Sequence, residues 1–292
     1  MENSTNINWY PGHMAKTKKQ IQDDLKLIDV VIELLDSRIP RSSQNPDIAE
    51  FTKNKKRLIV LNKSDLADKN ETDKWIDFFK KQGLKAIAVD SNQGKGINQV
   101  EKEIQELMKK EIEESAAKGR IRKTIRVMIL GIPNVGKSSF INRISKKTTM
   151  NVGNKPGVTR QKQWIRIGNQ IELLDTPGIL WPKFESSEVG LNLSYTGSIK
   201  DEVLDKEEVA YYLVKHLDTN YPNEFKNTYK ITDEEIASIK KSSNYYIELM
   251  ELVGRKRGAL IAGGKIDMLK VSGIILDEFR SGKIGKITLE KV

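Results

Sequence analysis

The chain has 292 residues, 38% of them apolar and 31% charged, a balance that suits a globular protein with a substantial core. It contains no Cys, which excludes disulfides and Cys-ligated metals, and having only two histidines, His13 and His216, argues against a multi-histidine metal site. The net charge of +10 points to a polyanionic partner such as nucleic acid. No apolar run approaches the roughly 20 residues that cross a bilayer, and Met1–Ser4 lacks the basic-then-apolar build of a signal peptide. These features set the expectation of a cytoplasmic protein with no membrane partner.

In chain order, Asp29–Asp36 (DVVIELLD) is a short run rich in branched residues, as a buried parallel strand requires. Leu58–Leu61 and Ala86–Val89 have the same character. Between these two runs, Glu71–Gln82 carries Trp75, Phe78 and Phe79 at helical spacing. Asn98–Glu114 predicts a helix with Val100, Ile104, Leu107 and Met108 on one face, and Ser115–Arg120 breaks the pattern as a surface connection. Val127–Leu130 predicts a strand ending in a Gly-rich turn, and Ser138–Ser145 the helix that follows it. Trp164–Ile167 and Ile171–Leu174 predict a hairpin. Alternating strands and helices of this kind make an α/β fold with a parallel sheet and one antiparallel edge.

Beyond about Pro182 the apolar positions turn helical. Helices are expected near 205–218, 221–229, 232–253 and 266–280, with capping-box spacing at Asp205/Glu208 and Thr232/Glu235. The expected organisation is an α/β domain over 1–182, a linker over 183–203 and a small all-helical domain over 204–292.

Gly131-Ile132-Pro133-Asn134-Val135-Gly136-Lys137-Ser138 satisfies G-x-x-x-x-G-K-[ST] between a predicted strand and a predicted helix. Glycines let backbone N–H groups turn inward around phosphate oxygens, and the helix N-terminus adds its positive dipole end. The N–H groups from Asn134, Val135 and Gly136 to Ser139 are therefore candidate phosphate donors. Lys137 would place its ammonium between the terminal phosphates, and Ser138 would give its hydroxyl to Mg²⁺. This loop by itself implies a nucleoside triphosphate.

Asn62-Lys63-Ser64-Asp65 follows the Leu58–Leu61 strand and matches N-K-x-D, which reads guanine. Guanine presents a ring N–H and an amino group side by side, and the Asp65 carboxylate can accept both. Adenine lacks that paired edge, a mismatch worth a few kcal/mol. The Lys63 stem can cover the base, and Asn62 can tie this loop to the phosphate loop. Ser91-Asn92, after the Ala86–Val89 strand, is the weaker companion, with a backbone N–H near Asn92 facing the guanine carbonyl. Asp175-Thr176-Pro177-Gly178 follows Ile171–Leu174 and matches D-x-x-G. Asp175 would hold Mg²⁺ through water, the Gly178 amide would contact the γ-phosphate, and Thr159 would reach Mg²⁺ in the triphosphate state.

In ordinary GTPases the phosphate loop and the switches precede N-K-x-D. Here N-K-S-D and Ser91 come first, the order of a circularly permuted P-loop GTPase. Asn8–Lys16 (NWYPGHMAK) and Leu35–Pro40 (LDSRIP) resemble the bacterial ribosome biogenesis GTPase A family over essentially the whole chain, with Ser37 where that family usually has Ala. The resemblance implies binding of GTP and GDP, a large-subunit (50S) precursor and its rRNA as partners, promotion of late maturation, and release after hydrolysis. It also implies a helical domain that touches rRNA, and a protein monomeric off the ribosome. Two alternatives stay open: a permuted GTPase acting on another RNA such as the small subunit, and a nucleotide-gated RNA-binding module with little catalysis.

Where many GTPases place a water-orienting Gln after D-x-x-G, this chain has Ile179, which cannot hold a water in line. By resemblance, His13 of Pro11-Gly12-His13 supplies the polar group. Asn134 matches the Asn of GTPases that recruit K⁺ beside the phosphates, where a monovalent cation would replace an arginine finger. Seven basic residues (Arg143, Lys146, Lys147, Lys155, Arg160, Lys162 and Arg166) with no acidic one between Ile141 and Arg166, and a second basic group at Arg255-Lys256-Arg257 with Lys265 and Lys270, are the candidate RNA-facing charges. The competing reading of Arg255–Arg257 is a helix end favoured by the dipole.

Overall fold

The computed structural model describes residues 11–119, 124–145, 164–168, 170–176, 178, 180 and 184–292, with side chains from 16 onward. These residues cluster into two units. One holds the described residues up to Leu180 together with Glu290–Val292, and the other holds Phe184–Leu289.

The first unit is built on a six-stranded sheet. In chain order its elements are α1 (Pro11–Leu25), β1 (Val30–Asp36), α2 (Pro46–Phe51), β2 (Lys56–Asn62), α3 (Lys69–Lys81), β3 (Lys85–Ala88), α4 (Ile97–Leu107), α5 (Lys109–Ala117), β4 (Ile125–Leu130), α6 (Lys137–Ser145), β5 (Trp164–Ile167) and β6 (Ile171–Leu174). The strand order is β3-β2-β1-β4-β6-β5. All neighbours are parallel except β5 against β6. All seven residues of β1 are buried, as a central strand covered on both faces demands. Ile21 and Leu25 of α1 pack with Val31, Met128, Leu130 and Leu174. Trp75 and Phe79 of α3 pack over Leu35, Ile59, Leu61 and Ala86.

The predicted strands and the antiparallel hairpin are present. Two helices were not expected, α1 and α2. Both are short of strong apolar periodicity, and α2 rests on an Asn45 cap whose side chain accepts from Asp47 N. The helix expected over 98–114 is interrupted at Met108, which lies between α4 and α5 with φ −99° and ψ 3°. The last residues of the chain also belong to this unit. The Glu290 carboxylate accepts from Arg41 N at 2.6 Å, from Ser42 N at 3.0 Å and from Ser42 Oγ, while Trp75 Nε1 donates to Glu290 O at 3.0 Å.

The second unit is helical among its described residues: α7 (Ser187–Tyr195), α8 (Lys206–Asn220), α9 (Pro222–Tyr229), α10 (Asp233–Ile239), α11 (Tyr245–Arg257) and α12 (Met268–Arg280). The stretch expected as a linker differs from that expectation. It carries α7, and Leu193, Tyr195 and Ile199 are buried within this unit. The single helix expected over 232–253 is two. Ser242 and Asn244 divide it, the Ser242 hydroxyl accepting from Asn244 N at 3.1 Å and pairing with Glu248, because such side chains compete for backbone groups that a helix would use.

Candidate nucleotide site

In a parallel sheet every strand ends on the same edge, and ligands bind in the crevice there. The loops after β1, β2, β3, β4 and β6 therefore converge although they are far apart in sequence.

The phosphate loop joins β4 to α6. Asn134 and Gly136 take positive φ, +60° and +90°. A Cβ on Gly136 would stand 2.5 Å from Asn62 Nδ2, so the loop tolerates no side chain there. Ser138 and Ser139 are exposed in the first turn of α6. The Lys137 ammonium donates to Thr176 O at 3.0 Å and Gly131 O at 3.4 Å. Burial lowers it from the ordinary 10.5 to about 8, against the opposing pull of Asp175. Asp175 is exposed, and Thr176 is anchored by its hydroxyl to Ile129 O. Gly178 lies against the phosphate loop, where a Cβ would meet Pro133 N at 3.0 Å.

The base-reading loop is tied to its surroundings by nearly every polar atom of Asn62. Its Nδ2 donates to Val135 O at 2.8 Å, and its Oδ1 accepts from Ser91 Oγ at 2.6 Å and Ser91 N at 3.3 Å. Lys63 Nζ donates to Asn134 O at 2.5 Å. Asp65 differs: its Oδ1 is buried and finds no hydrogen-bond partner among the described residues. Burial, followed by the neighbouring Asp90 charge, raises its carboxyl. A buried carboxylate oxygen without donors is costly, and a paired donor edge removes that cost.

The structure thus brings together Asn62, Lys63, Asp65, Ser91, Asn134, Val135, Gly136, Lys137, Ser138, Asp175 and Gly178. Three expectations are not met or not testable in place. Thr159 lies outside the described residues. His13 falls in the first turn of α1, with its side chain outside the described part. The Asn92 N–H, expected at the base, donates to Asp90 Oδ1 at 2.8 Å, as does Gln93 N at 2.9 Å. Sequence reasoning passed over Asp90, which shapes that turn, and read Arg143 only as an RNA-facing charge, whereas its Nε holds Ser91 O at 3.0 Å. The signal for Asp90 was legible as an Asp-Ser-Asn turn; Arg143 sits on α6 with no local cue.

Among the described residues no three acidic or histidine side chains gather into a metal cluster. One hydroxyl and one carboxylate, Ser138 and Asp175, fit a Mg²⁺ that takes its remaining ligands from phosphate oxygens and water. Such an ion would neutralise charge on the terminal phosphates.

In the helical unit the Arg255–Arg257 cluster is largely committed. Lys256 pairs with Glu235 at 2.8 Å and Arg257 with Glu278 at 3.0 Å, the latter stacked over Tyr229, while Arg255 reaches Glu251 at 3.5 Å. Lys265 and Lys270 are exposed. His216 lies on α8 and stacks on Tyr221.

A sheet whose phosphate loop leaves the fourth strand in sequence, after the base-reading loops, yet joins them at one edge, defines the class: this is a circularly permuted GTPase. Residues 126–251 match the family described as 50S ribosome-binding GTPase, and residues 48–185 the family described as RsgA GTPase. The chain is 45% identical over 287 residues to ribosome biogenesis GTPase A of Priestia megaterium, covering 97% of this chain and 96% of that protein. Identity to ribosome biogenesis GTPase A of Thermotoga maritima is 32% over 285 residues, covering 98% and 94%. The fold matches GNP-bound YlqF from T. maritima with a TM-score of 0.64 and 28% identity, over 94% of this chain and 98% of that one. The chain belongs to the ribosome biogenesis GTPase A family, and it hydrolyses GTP to GDP and phosphate.

Proposed function

We propose that this GTPase binds a precursor of the large ribosomal subunit through its rRNA, promotes a late maturation step, and leaves after hydrolysis. The observation that carries the reading is the position of Gly178. It lies on the phosphate loop at one end of a connection of a few residues, and the helical unit begins at Phe184. A γ-phosphate that orders Gly178 acts at the root of that connection, so the nucleotide state can bias a partner-binding unit. The family's name for its relatives supplies the ribosome, and the net charge of +10 suits an RNA-rich target. Exposed Lys265 and Lys270 are the stronger candidates for RNA contact in the helical unit, because Lys256 and Arg257 already hold carboxylates.

In the nucleotide site, Asp65 accepts the paired guanine donors, Lys63 covers the base, and Asn62 and Ser91 hold the loop. Lys137 and the N–H groups of the loop through Ser139 bind the phosphates. Ser138, Asp175 and Thr159 serve Mg²⁺, Asn134 serves K⁺, and His13 orients the attacking water in place of Ile179. The protein acts in the cytoplasm as a monomer when off the ribosome.

Cosedimentation with immature and mature subunits, with a GTP analogue or GDP and at several salt concentrations, tests this. Binding to immature large subunits with the analogue, weakened by GDP and by salt, is the expected result. Equal binding in both nucleotide states, or preference for the small subunit, overturns it.

A further inference from the structure

The parallel register sets the ends of β1 and β2 side by side, with Asp36 opposite Asn62. Asp36, Ser37 and Arg38 follow directly and are all buried, at 1%, 0% and 1% exposure. None of them belongs to the phosphate or base motifs, and a charged pair has no place in an apolar core unless it is held on both sides. The Arg38 guanidinium grips Asp36 as a fork, Nε to Oδ1 at 2.9 Å and Nη2 to Oδ2 at 2.8 Å. The Lys63 ammonium reaches the same Oδ2 at 3.0 Å. Burial alone would raise the Asp36 carboxyl, but the two cations outweigh it and hold it far below the usual carboxylate range.

Lys63 needs such a hold. Its φ is +58°, a conformation that costs a side-chain-bearing residue free energy unless its surroundings fix it. Next to it, the Asn62 carbonyl accepts two hydrogen bonds from one residue, from Ser37 N at 2.8 Å and Ser37 Oγ at 2.7 Å. Ala at that position would keep the first bond and lose the second. The Asp36–Ser37 pair thus grips the backbone of Asn62 and the head of Lys63.

We propose that Asp36 and Ser37 are positioning residues for guanine recognition, Asp36 fixing the Lys63 ammonium and Ser37 the Asn62 carbonyl so that the base-reading loop is preformed. The inference rests on Asn62–Asp65 being the base-reading loop. A preformed loop stabilises the ground state and the transition state of hydrolysis alike, so its loss raises KM and leaves kcat alone. Ser37→Ala removes one hydrogen bond and should weaken GDP binding and raise KM for GTP by about threefold to tenfold. Asp36→Asn should weaken GDP binding and raise KM by about 30-fold or more. Inhibition by inorganic triphosphate with Mg²⁺, which has no base, should shift by less than about twofold in either variant.

Steady-state GTP turnover, GDP titration and triphosphate inhibition on the full chain, each with a parallel melting curve, test the proposal. Unchanged KM and GDP affinity in Ser37→Ala, a fall in kcat at constant KM, or triphosphate inhibition weakened in step with GDP overturns it. If Asp36→Asn does not fold, Ser37→Ala alone decides. Asp65→Asn separates the two levels of the argument. If Asp65→Asn keeps full GTP affinity, the base-loop reading itself fails. If it loses GTP while Ser37→Ala and a folded Asp36→Asn do not, only the positioning role falls.

Discussion

The two units of this chain bury different things. In the nucleotide-binding unit, charged and amide side chains lie deep at the strand ends: Asp36, Arg38 and Asn62 are each 1% exposed. In the helical unit the buried set is mostly aliphatic and aromatic. Leu213, Val214 and Leu217 of α8, Leu249 and Val253 of α11, and Val271, Ile275, Leu276 and Phe279 of α12 are among its core residues. Its polar and charged side chains work at the rim instead, as helix caps at Asp205, Thr232 and Asp267 and as pairs such as Arg280–Asp201. The difference teaches how each unit holds its shape. Buried polar networks cost desolvation and are worth having where loops must hold one shape against a polar ligand. An apolar core makes a rigid body without that desolvation cost.

The comparison is open to breakage, most forcefully in the helical core. Phe279→Ala should cost about 3–5 kcal/mol, the usual loss for a buried Phe, from a side chain 2% exposed. Chemical denaturation should show that loss, with GDP affinity at low temperature kept within about threefold because Phe279 belongs to the core of the helical unit. A collapse of GDP affinity would show that the two units are not separable in this way. The converse change is Gly136→Ala. Its Cβ would stand 2.5 Å from Asn62 Nδ2 at φ +90°, so GDP affinity should fall by about a hundredfold or more. Ordinary binding by that variant would mean the phosphate loop is not as tightly set as its contacts imply.

The smallest effect is protonic. Lys137 has a folded pKa of about 8, below the ordinary 10.5. Its charged form is therefore penalised by folding, and the penalty fades as pH rises from 8 toward 10.5. Bound phosphates favour the charged form, so nucleotide binding above pH 8 should take up a proton. Calorimetry in buffers of different ionisation enthalpy should show uptake of a large fraction of a proton at about pH 9 and almost none at about pH 6.5. Equal proton exchange at both would place Lys137 away from the phosphates. A lysine buried among helices would show no such linkage, so the result also separates the two kinds of burial.

Much of this molecule was legible in the residues. N-K-S-D, the phosphate loop, D-T-P-G and the strands before them are contiguous stretches, and their chemistry and local conformation are set within a few residues of one another. Their order alone revealed the permutation. The capping box at Thr232/Glu235 was equally local and is present with both of its bonds. Less legible were the split at Ser242–Asn244 and the helix α7, because helical periodicity marks apolar spacing and not the exact turn at which side chains outcompete the backbone.

What no local pattern could carry is the set of partners. That Asp36 meets Lys63, that Ser37 binds Asn62, that Arg143 holds Ser91, and that Glu290 caps the turn at Arg41–Ser42 across most of the chain all depend on which strand ends lie side by side. Sequence determined which atoms would be chemically able to grip a triphosphate and a purine. Tertiary structure decided which buried charges would hold those atoms still, because the pairing of an ion in a dry interior is fixed by distance in space and not by distance along the chain.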